Sequence, residues 1–302
     1  MRLLKFAAID IGTNAVRLLF SNVIENGEKT IFKKASLVRV PIRLGYDVFH
    51  EGKIGEVKRE KLISTLHAFH HLINVYDVID FRACATSAMR EASNGRDIVE
   101  VVRNKTGINI EIIDGQTEAE IIYSNRIVEM LDRERSYLYV DVGGGSTEIT
   151  LFSNNDVISS YSFNVGTIRM LKNRVDKAER KRMKKYLKGI KEDYPNLQII
   201  GSGGNINKIF KLAGKKNLKP LSYKKINEIY EMLLPYTIDD RIKKFGLNPD
   251  RADVIIPAAE IFMKIMKWSE ANKILVPKFG VADGLVRQLY YNYKNNCMEV
   301  DK

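Results

Sequence analysis

The stretch from Tyr137 to Leu151 sets the terms for the rest of the chain. Leu138, Tyr139 and Val140 form an apolar run of the kind that makes a buried strand, and Asp141 stands where that strand should end. Gly143, Gly144 and Gly145 follow, then Ser146, Thr147 and Glu148, then a second strand-like run, Ile149-Thr150-Leu151. The pattern predicts a strand, a tight glycine turn and a returning strand. Three glycines free the backbone to take positive φ and let a ligand approach its N–H groups, which suits a phosphate. Asp141 and Glu148 flank the turn with two carboxylates, the donor chemistry of a hard cation such as Mg2+ shared with that phosphate.

The N-terminus carries a partial echo. Phe6-Ala7-Ala8-Ile9 is another apolar run, followed by Asp10-Ile11-Gly12-Thr13-Asn14 and then Val16-Arg17-Leu18-Leu19-Phe20. A repeated strand–Asp-x-Gly–strand unit predicts two related halves facing each other across a cleft. A length of 302 residues is enough for two domains. We expect one over residues 1–132 and a second over 133–283, with a helix at about 284–302 packing back on the first. The boundary is placed between Leu131 and Arg135, where charge is dense and apolar character drops.

A net charge of +12 favours an anionic partner: nucleic acid, a polyanion or an acidic metabolite. The two cysteines, Cys84 and Cys297, make no disulfide framework. Reduced thiols, no signal-peptide pattern and no apolar run of membrane-spanning length together predict a cytoplasmic chain with no membrane partner.

Read in order, the chain opens with three strands, around 6–11, 16–24 and 29–40, with Asn26-Gly27 as a hairpin turn. Residues 41–53 read as a loop because they hold Pro41, Gly45 and Gly52. A helix is expected over 54–75, a strand over 78–85, and a helix opening at Thr86 or Ser87 as N-cap. Arg90 falls in its first turns, near the strand's carboxyl end, where α/β proteins place ligands. Helix 97–105, strand 108–113 and a helix from Asp114 to about Met130 follow, with Glu118 in the last helix's first turn. Beyond the central turn we expect a strand over 157–163 and a turn at 164–167. A basic helix over 172–191 comes next, then a strand over 197–200. Gly201-Ser202-Gly203-Gly204-Asn205 is a further glycine turn entering a helix, able to hold phosphate on its N–H groups. The chain closes with a helix over 251–268, kinked or broken at Pro257, a strand over 274–276 and a final helix to about Tyr293.

With these segments in place the chain resembles the exopolyphosphatase / guanosine pentaphosphate phosphatase (Ppx/GppA) family. The pieces that carry the resemblance are DIGTNAVRLL (10–19), ATSAMREASN (85–94), IIDGQTEAEIIY (112–123), VDVGGGSTEI (140–149), GSGGNI (201–206) and RADVIIPAAEI (251–261). They stand in the family's order. The resemblance implies an α/β fold of the actin-like, acetate-kinase type: two ribonuclease-H-like domains flanking a cleft. It implies Mg2+-assisted hydrolysis of a terminal phosphoanhydride. Glu118 then matches the catalytic base, and Asp141 and Glu148 match acids that bind metal and water. Asp10 joins Asp141 and Glu148 as a metal ligand. Thr13 and Asn14 lie in the first phosphate loop, Gly143, Gly144, Gly145, Ser146 and Thr147 in the second, and Arg90 matches an arginine on substrate phosphate. Gly203 and Gly204 add phosphate-binding amides.

The sequence departs from the family pattern at Ala15, where a hydroxyl residue is usual, and at Ser124-Asn125, where a glycine-containing pair is common. Long family members add helical C-terminal domains that help hold long polyphosphate; their absence from this chain makes short polyphosphate or pppGpp the more expected substrate. The leading expectation is an exopolyphosphatase. A pppGpp 5′-phosphohydrolase, a kinase or ATPase of the same fold, and a non-catalytic ligand sensor are the alternatives. Nucleic acid is not expected, since no recognition module is present. A homodimer is the commonest prior for oligomeric state.

Overall fold

The computed structural model describes residues 1–27, 29–125, 135–154, 156–194, 196–215 and 219–300. It divides into two compact units: Met1–Arg126 together with Phe279–Lys302, and Ile127–Lys278. Residues 131–134, where the sequence suggests a boundary, lie outside the described residues, as does the stretch 126–130 of the helix expected to reach Met130.

The first unit is built on a five-stranded sheet of order β3-β2-β1-β4-β5. Strand β1 (Arg2–Ile11) pairs antiparallel with β2 (Val16–Asn26), which pairs antiparallel with β3 (Lys29–Val40). On its other side β1 pairs parallel with β4 (Asp80–Ala85), and β4 with β5 (Ile110–Ile112). The central place of β1 follows from its composition, since Phe6, Ala7, Ala8 and Ile9 are all wholly buried. Burying a side chain such as Phe6 or Ile9 contributes about 1.5–3 kcal/mol.

Helices α1 (Leu44–Glu51) and α2 (Glu56–Val75) connect β3 to β4; α3 (Ser87–Glu91) and α4 (Gly95–Thr106) connect β4 to β5. Helix α5 (Gly115–Tyr123) follows β5. The C-terminal helix α13 (Val281–Val300) returns to this unit, where Tyr290 is buried against Phe6 and Phe32 and its hydroxyl donates to Glu25 at 2.8 Å.

The second unit repeats the arrangement. Strand β6 (Tyr137–Val142) pairs antiparallel with β7 (Thr147–Ser153), β7 antiparallel with β8 (Asp156–Phe163), and β6 parallel with β9 (Gln198–Ser202). Beyond β9 come β11 (Lys273–Leu275) and a short outer strand β10 (Leu221–Ser222). Taken without β10, the strand order of the second sheet is that of the first. Helices α6 (Thr167–Leu171) and α7 (Lys177–Asp193) fill the first crossover, as α1 and α2 do in the first unit. Helices α8 (Gly204–Leu212), α9 (Tyr223–Leu233), α10 (Ile238–Phe245), α11 (Pro249–Ala252) and α12 (Ile255–Ser269) fill the second. A three-stranded antiparallel meander leading by crossover into parallel strands, present twice, is the duplicated ribonuclease-H-like architecture of the actin-like class. No helix among the described residues is long and apolar enough to cross a membrane.

Several local expectations are corrected. Residues 41–53 are not a loop, because α1 occupies 44–51 with Leu44, Val48 and Phe49 buried. Its Gly45 is required by packing, since a Cβ there would sit 2.2 Å from Thr13 Cγ2, and Gly52 ends the helix at φ 76°. The turn expected at 164–167 opens into helix α6 at Thr167. The basic helix starts at Lys177, because the Asp176 carboxylate accepts the Ala178 N–H at 2.8 Å and fixes the first turn there. Thr86 precedes α3 without a side-chain cap. The helix expected over 251–268 is divided, α11 ending at Ala252 and α12 opening at Ile255; Pro257 stands just past that break, in the first turn of α12, where no N–H is needed for an intrahelical bond.

Candidate active site

Strands β1, β4 and β5 are neighbours in the first sheet, and each ends at a segment that carries candidate residues. The β1–β2 turn holds Asp10, Thr13 and Asn14. It is closed by the Gly12 N–H donating to Ala15 O at 3.1 Å, and by Arg43 N–H and Gly45 N–H donating to Asn14 O and Thr13 O, both at 3.0 Å. Buried Thr13 shares a 2.8 Å hydroxyl–hydroxyl bond with Ser87 at the start of α3. Arg90, three residues on, donates from Nη1 to Ile113 O at 2.7 Å, which holds it against the end of β5.

Glu118 lies in the first turn of α5 and is buried. The turn is fixed by Asp114, whose Oδ1 accepts the Thr117 N–H at 2.7 Å. That bond, the Thr117 side chain and the charge of Arg90 hold the Asp114 carboxyl below the usual range. Ionised Asp114 thus keeps the helix end in place under Glu118.

Cys84 stands opposite Asp10 in the β1–β4 register and is wholly buried. Burial first, then the charges of Glu111, Asp10 and Glu118, push its thiol up to about 12, while Arg82 opposes them. A protonated thiol is a poor nucleophile. Alkylation of the native protein at pH 8 is expected to label Cys297 and spare Cys84; peptide mapping after iodoacetamide checks this.

In the second unit Asp141 and Glu148 are direct cross-strand partners at the mouth of the β6–β7 hairpin. The turn between them closes as the first one does, with the Gly143 N–H donating to Ser146 O at 3.0 Å. Its peptide planes are set from α6. Thr167 N–H donates to Gly143 O at 3.0 Å, Ile168 N–H to Gly144 O at 2.8 Å, and Arg169 Nε to Gly145 O at 2.6 Å. Thr147 Oγ1 donates to Val165 O, which anchors the returning strand.

Glu148 is buried, and its Oε1 accepts from the hydroxyls of Ser146 at 2.5 Å and Ser162 at 3.0 Å. Ser202 donates to Asp141 Oδ2 at 3.2 Å. Gly203 follows at φ 104°, and a Cβ there would come within 3.0 Å of Asp141 Oδ1. Gly204 O accepts from Arg251 Nη1 at 3.1 Å, so the third glycine turn is tied to the RADV segment.

The first unit thus brings together Asp10, Thr13, Asn14, Arg90 and Glu118. The second brings together Asp141, Gly143, Gly144, Gly145, Ser146, Thr147, Glu148, Gly203 and Gly204. The two hairpins differ in the residue that faces the aspartate. Opposite Asp141 stands Glu148, whereas opposite Asp10 stands Arg17, whose Nη1 donates to Asp10 Oδ2 at 2.5 Å. Among the described residues no cluster of three or more His, Cys, Asp or Glu side chains forms a complete metal cage. The Asp141–Glu148 pair nevertheless fits Mg2+, which uses one or two carboxylates and completes its shell with water and substrate oxygens.

Sequence reasoning missed Arg17, Ser162, Arg169 and Ser202. Arg17 and Ser162 face Asp10 and Glu148 in hairpin register, and counting residues across each turn would have found them. Ser202 pairs with Asp141 in a parallel register that no local pattern reveals.

Comparison with known proteins bears on this arrangement. A model described as the Ppx/GppA phosphatase family matches residues 24–292. The chain is 24% identical over 323 residues to exopolyphosphatase 2 of Mycobacterium tuberculosis, a match covering 96% of this chain and 99% of that protein. It is 30% identical over 297 residues to the bifunctional 3-dehydroquinate synthase/phosphatase of Fusobacterium nucleatum; this covers 89% of the chain but spans only 44% of that longer protein. Among solved structures, the Aquifex aeolicus member of the Ppx/GppA family superposes with a TM-score of 0.75 at 26% identity, covering 97% of this chain and 99% of that one. An exopolyphosphatase from Cytophaga hutchinsonii shares the fold with a TM-score of 0.82 at 23% identity, over 95% of this chain and 98% of that one.

Proposed function

The chain belongs to the Ppx/GppA phosphatase family, and we propose from this premise that it is an exopolyphosphatase, releasing orthophosphate from the end of inorganic polyphosphate. The observation that carries the reading is the β6–β7 hairpin. Two carboxylates stand in register across a glycine turn whose carbonyls are all held from one side. The exopolyphosphatases among its relatives support the substrate class.

In this reading the hairpin Gly143–Thr147, apart from the Gly143 N–H already given to Ser146 O, and Gly203 and Gly204 offer backbone amides, and Thr13 and Asn14 polar groups, to the phosphate oxygens. Arg90 offers a guanidinium fork to the terminal phosphoryl group. Asp141 and Glu148 would hold Mg2+, which would supply charge neutralisation to the phosphate. Asp10 is held by Arg17 at the mouth of its own hairpin. Glu118 accepts a proton from the attacking water and points it at phosphorus. Phosphoryl transfer asks the protein for positioning and charge stabilisation more than for covalent chemistry, and these residue types supply both.

The deciding experiment compares Mg2+-dependent phosphate release from tripolyphosphate, long polyphosphate, pppGpp and ATP. Release from polyphosphate that stops on chelation by EDTA and returns with Mg2+ is expected. Release from pppGpp alone would move the assignment to the 5′-phosphohydrolase, and release from none would overturn it.

A further inference from the structure

Among the described residues each sheet ends in two edge strands, and they are not guarded alike. Strands β5 and β10 are three and two residues long, and β3 carries Lys29, Lys33, Lys34 and Arg39. Short edge strands and edge lysines keep a sheet from pairing with another chain. Strand β8 has neither device. From Val157 to Phe163 it holds no charge and no proline, and Val157, Ile158 and Tyr161 are exposed. The bulge near its start leaves Ser159–Phe163 in regular register with β7.

Helix α7 lies along this open edge. Tyr186 shares a 2.7 Å hydroxyl–hydroxyl bond with Ser159, and its ring centre is 4.7 Å from that of Tyr161. Between strand and helix opens a cavity of about 490 Å³, lined by Ile158, Tyr161, Lys185, Tyr186, Gly189 and Asp193 among others. Lys185, Gly189 and Asp193 stand four residues apart, on one helix face. A glycine inside a helix weakens it, and no neighbour within 4 Å of its Cβ position requires one here. The helix charges also run against its dipole. Lys177, Arg180 and Lys181 stand at the positive end, and Glu192 and Asp193 in the last turn at the negative end. Lys185, Glu192 and Asp193 are exposed and form no ion pair among the described residues; the pairs on this helix are made by Arg182 and Lys191.

A second copy of the same helix answers these features together. Laid antiparallel about a two-fold axis at Gly189, each Lys185 faces Asp193 of the other copy. Each acidic helix end then meets a basic stretch, and the paired glycines let the two backbones approach. A parallel copy would set like charge against like. The same axis brings the two β8 edges together antiparallel. We propose that the chain forms an isologous homodimer through β8 and the Lys185–Asp193 face of α7. This surface is independent of the activity proposed above.

Sedimentation velocity on the full chain is expected to show a dimer at micromolar concentration. Lys185→Asp and Asp193→Lys each create two like-charge contacts, one on either side of the axis, and should each weaken the dimer at least about tenfold. K185D/D193K exchanges the partners and should restore wild-type dimerisation. Ile158→Lys places a charge on the open edge and should also yield monomer. All three positions are exposed, so the variants should keep the wild-type far-UV circular dichroism. A wild type that sediments as a monomer at every concentration would overturn the proposal. So would a dimer indifferent to all these changes, or a double variant that dissociates as readily as the single ones.

Discussion

Phosphate release by the Glu118→Gln variant is expected to fall by at least about 10²–10⁴-fold, the usual contribution of a well-placed general base. The substitution is isosteric. It removes a charge from the first turn of α5, where the helix dipole favours one by about 0.3–1 kcal/mol. It also removes the cost of keeping a charge in a site only 6% exposed. These effects oppose each other, so the thermal midpoint should stay within a few degrees of wild type.

Loss of turnover with intact melting and intact affinity for polyphosphate assigns Glu118 to the chemical step. Loss of affinity as well would make it a binding residue, and unchanged turnover would remove it from the reaction. The contrast also separates an enzyme from a ligand sensor of the same fold, because a sensor has no turnover to lose. Glu118→Asp retains the charge but withdraws it by one methylene, and is expected to recover part of the rate only if position as well as charge matters.

How far the sequence alone reached follows from what kind of interaction fixes each element. The Asp10 and Asp141 hairpins were legible because each strand is an unbroken apolar run and each turn is dense in glycine or small polar residues. The duplication was legible for the same reason, since it repeats a local pattern. Helix α1 was not, because Gly45 reads as a breaker until Thr13 is known to lie against it. Helix α6 is one short helix whose first N–H groups go to the glycine turn, so tertiary hydrogen bonds define it more than propensity does.

Strand β10 consists of two residues and exists only as the partner of β11. The partners that tune the site, Arg17 on Asp10 and Ser162 on Glu148, stand across strands, and their significance comes from register. Ser124 and Asn125, where the chain departs from the family pattern, serve packing: Ser124 Oγ accepts from Gln288 Nε2 at 3.0 Å, and Asn125 Nδ2 donates to Gly280 O at 3.2 Å. Between these contacts a Cβ on Gly284 would lie 1.9 Å from Ile121 O, so α13 approaches α5 as closely as backbone allows.

The Gly166→Ala variant should lose activity by about 10²-fold without any change to a proposed ligand, since a misplacement of about 1 Å at a site commonly costs that much. Its backbone, at φ −134°, is one alanine adopts readily, so the penalty is steric alone. A methyl group there would stand 2.3 Å from Gly144 O and 2.4 Å from Gly145 C. Both are backbone atoms, and no side chain can swing aside to relieve the clash. The turn must retreat, and it can do so only by stretching the bonds that Thr167, Ile168 and Arg169 make to its carbonyls.

Overpacking of this kind costs about 1–3 kcal/mol, so a lowered melting temperature should accompany the lost rate. Gly189→Ala is the comparison to make alongside. Nothing lies within 4 Å of its Cβ position, and it sits inside α7. Alanine there should stabilise the helix by about 0.5–1 kcal/mol and leave phosphate release unchanged. If Gly166→Ala kept wild-type kcat/KM, the fixed position of the glycine turn would not matter to the reaction, and the two carboxylates beside it would lose their claim to the chemistry.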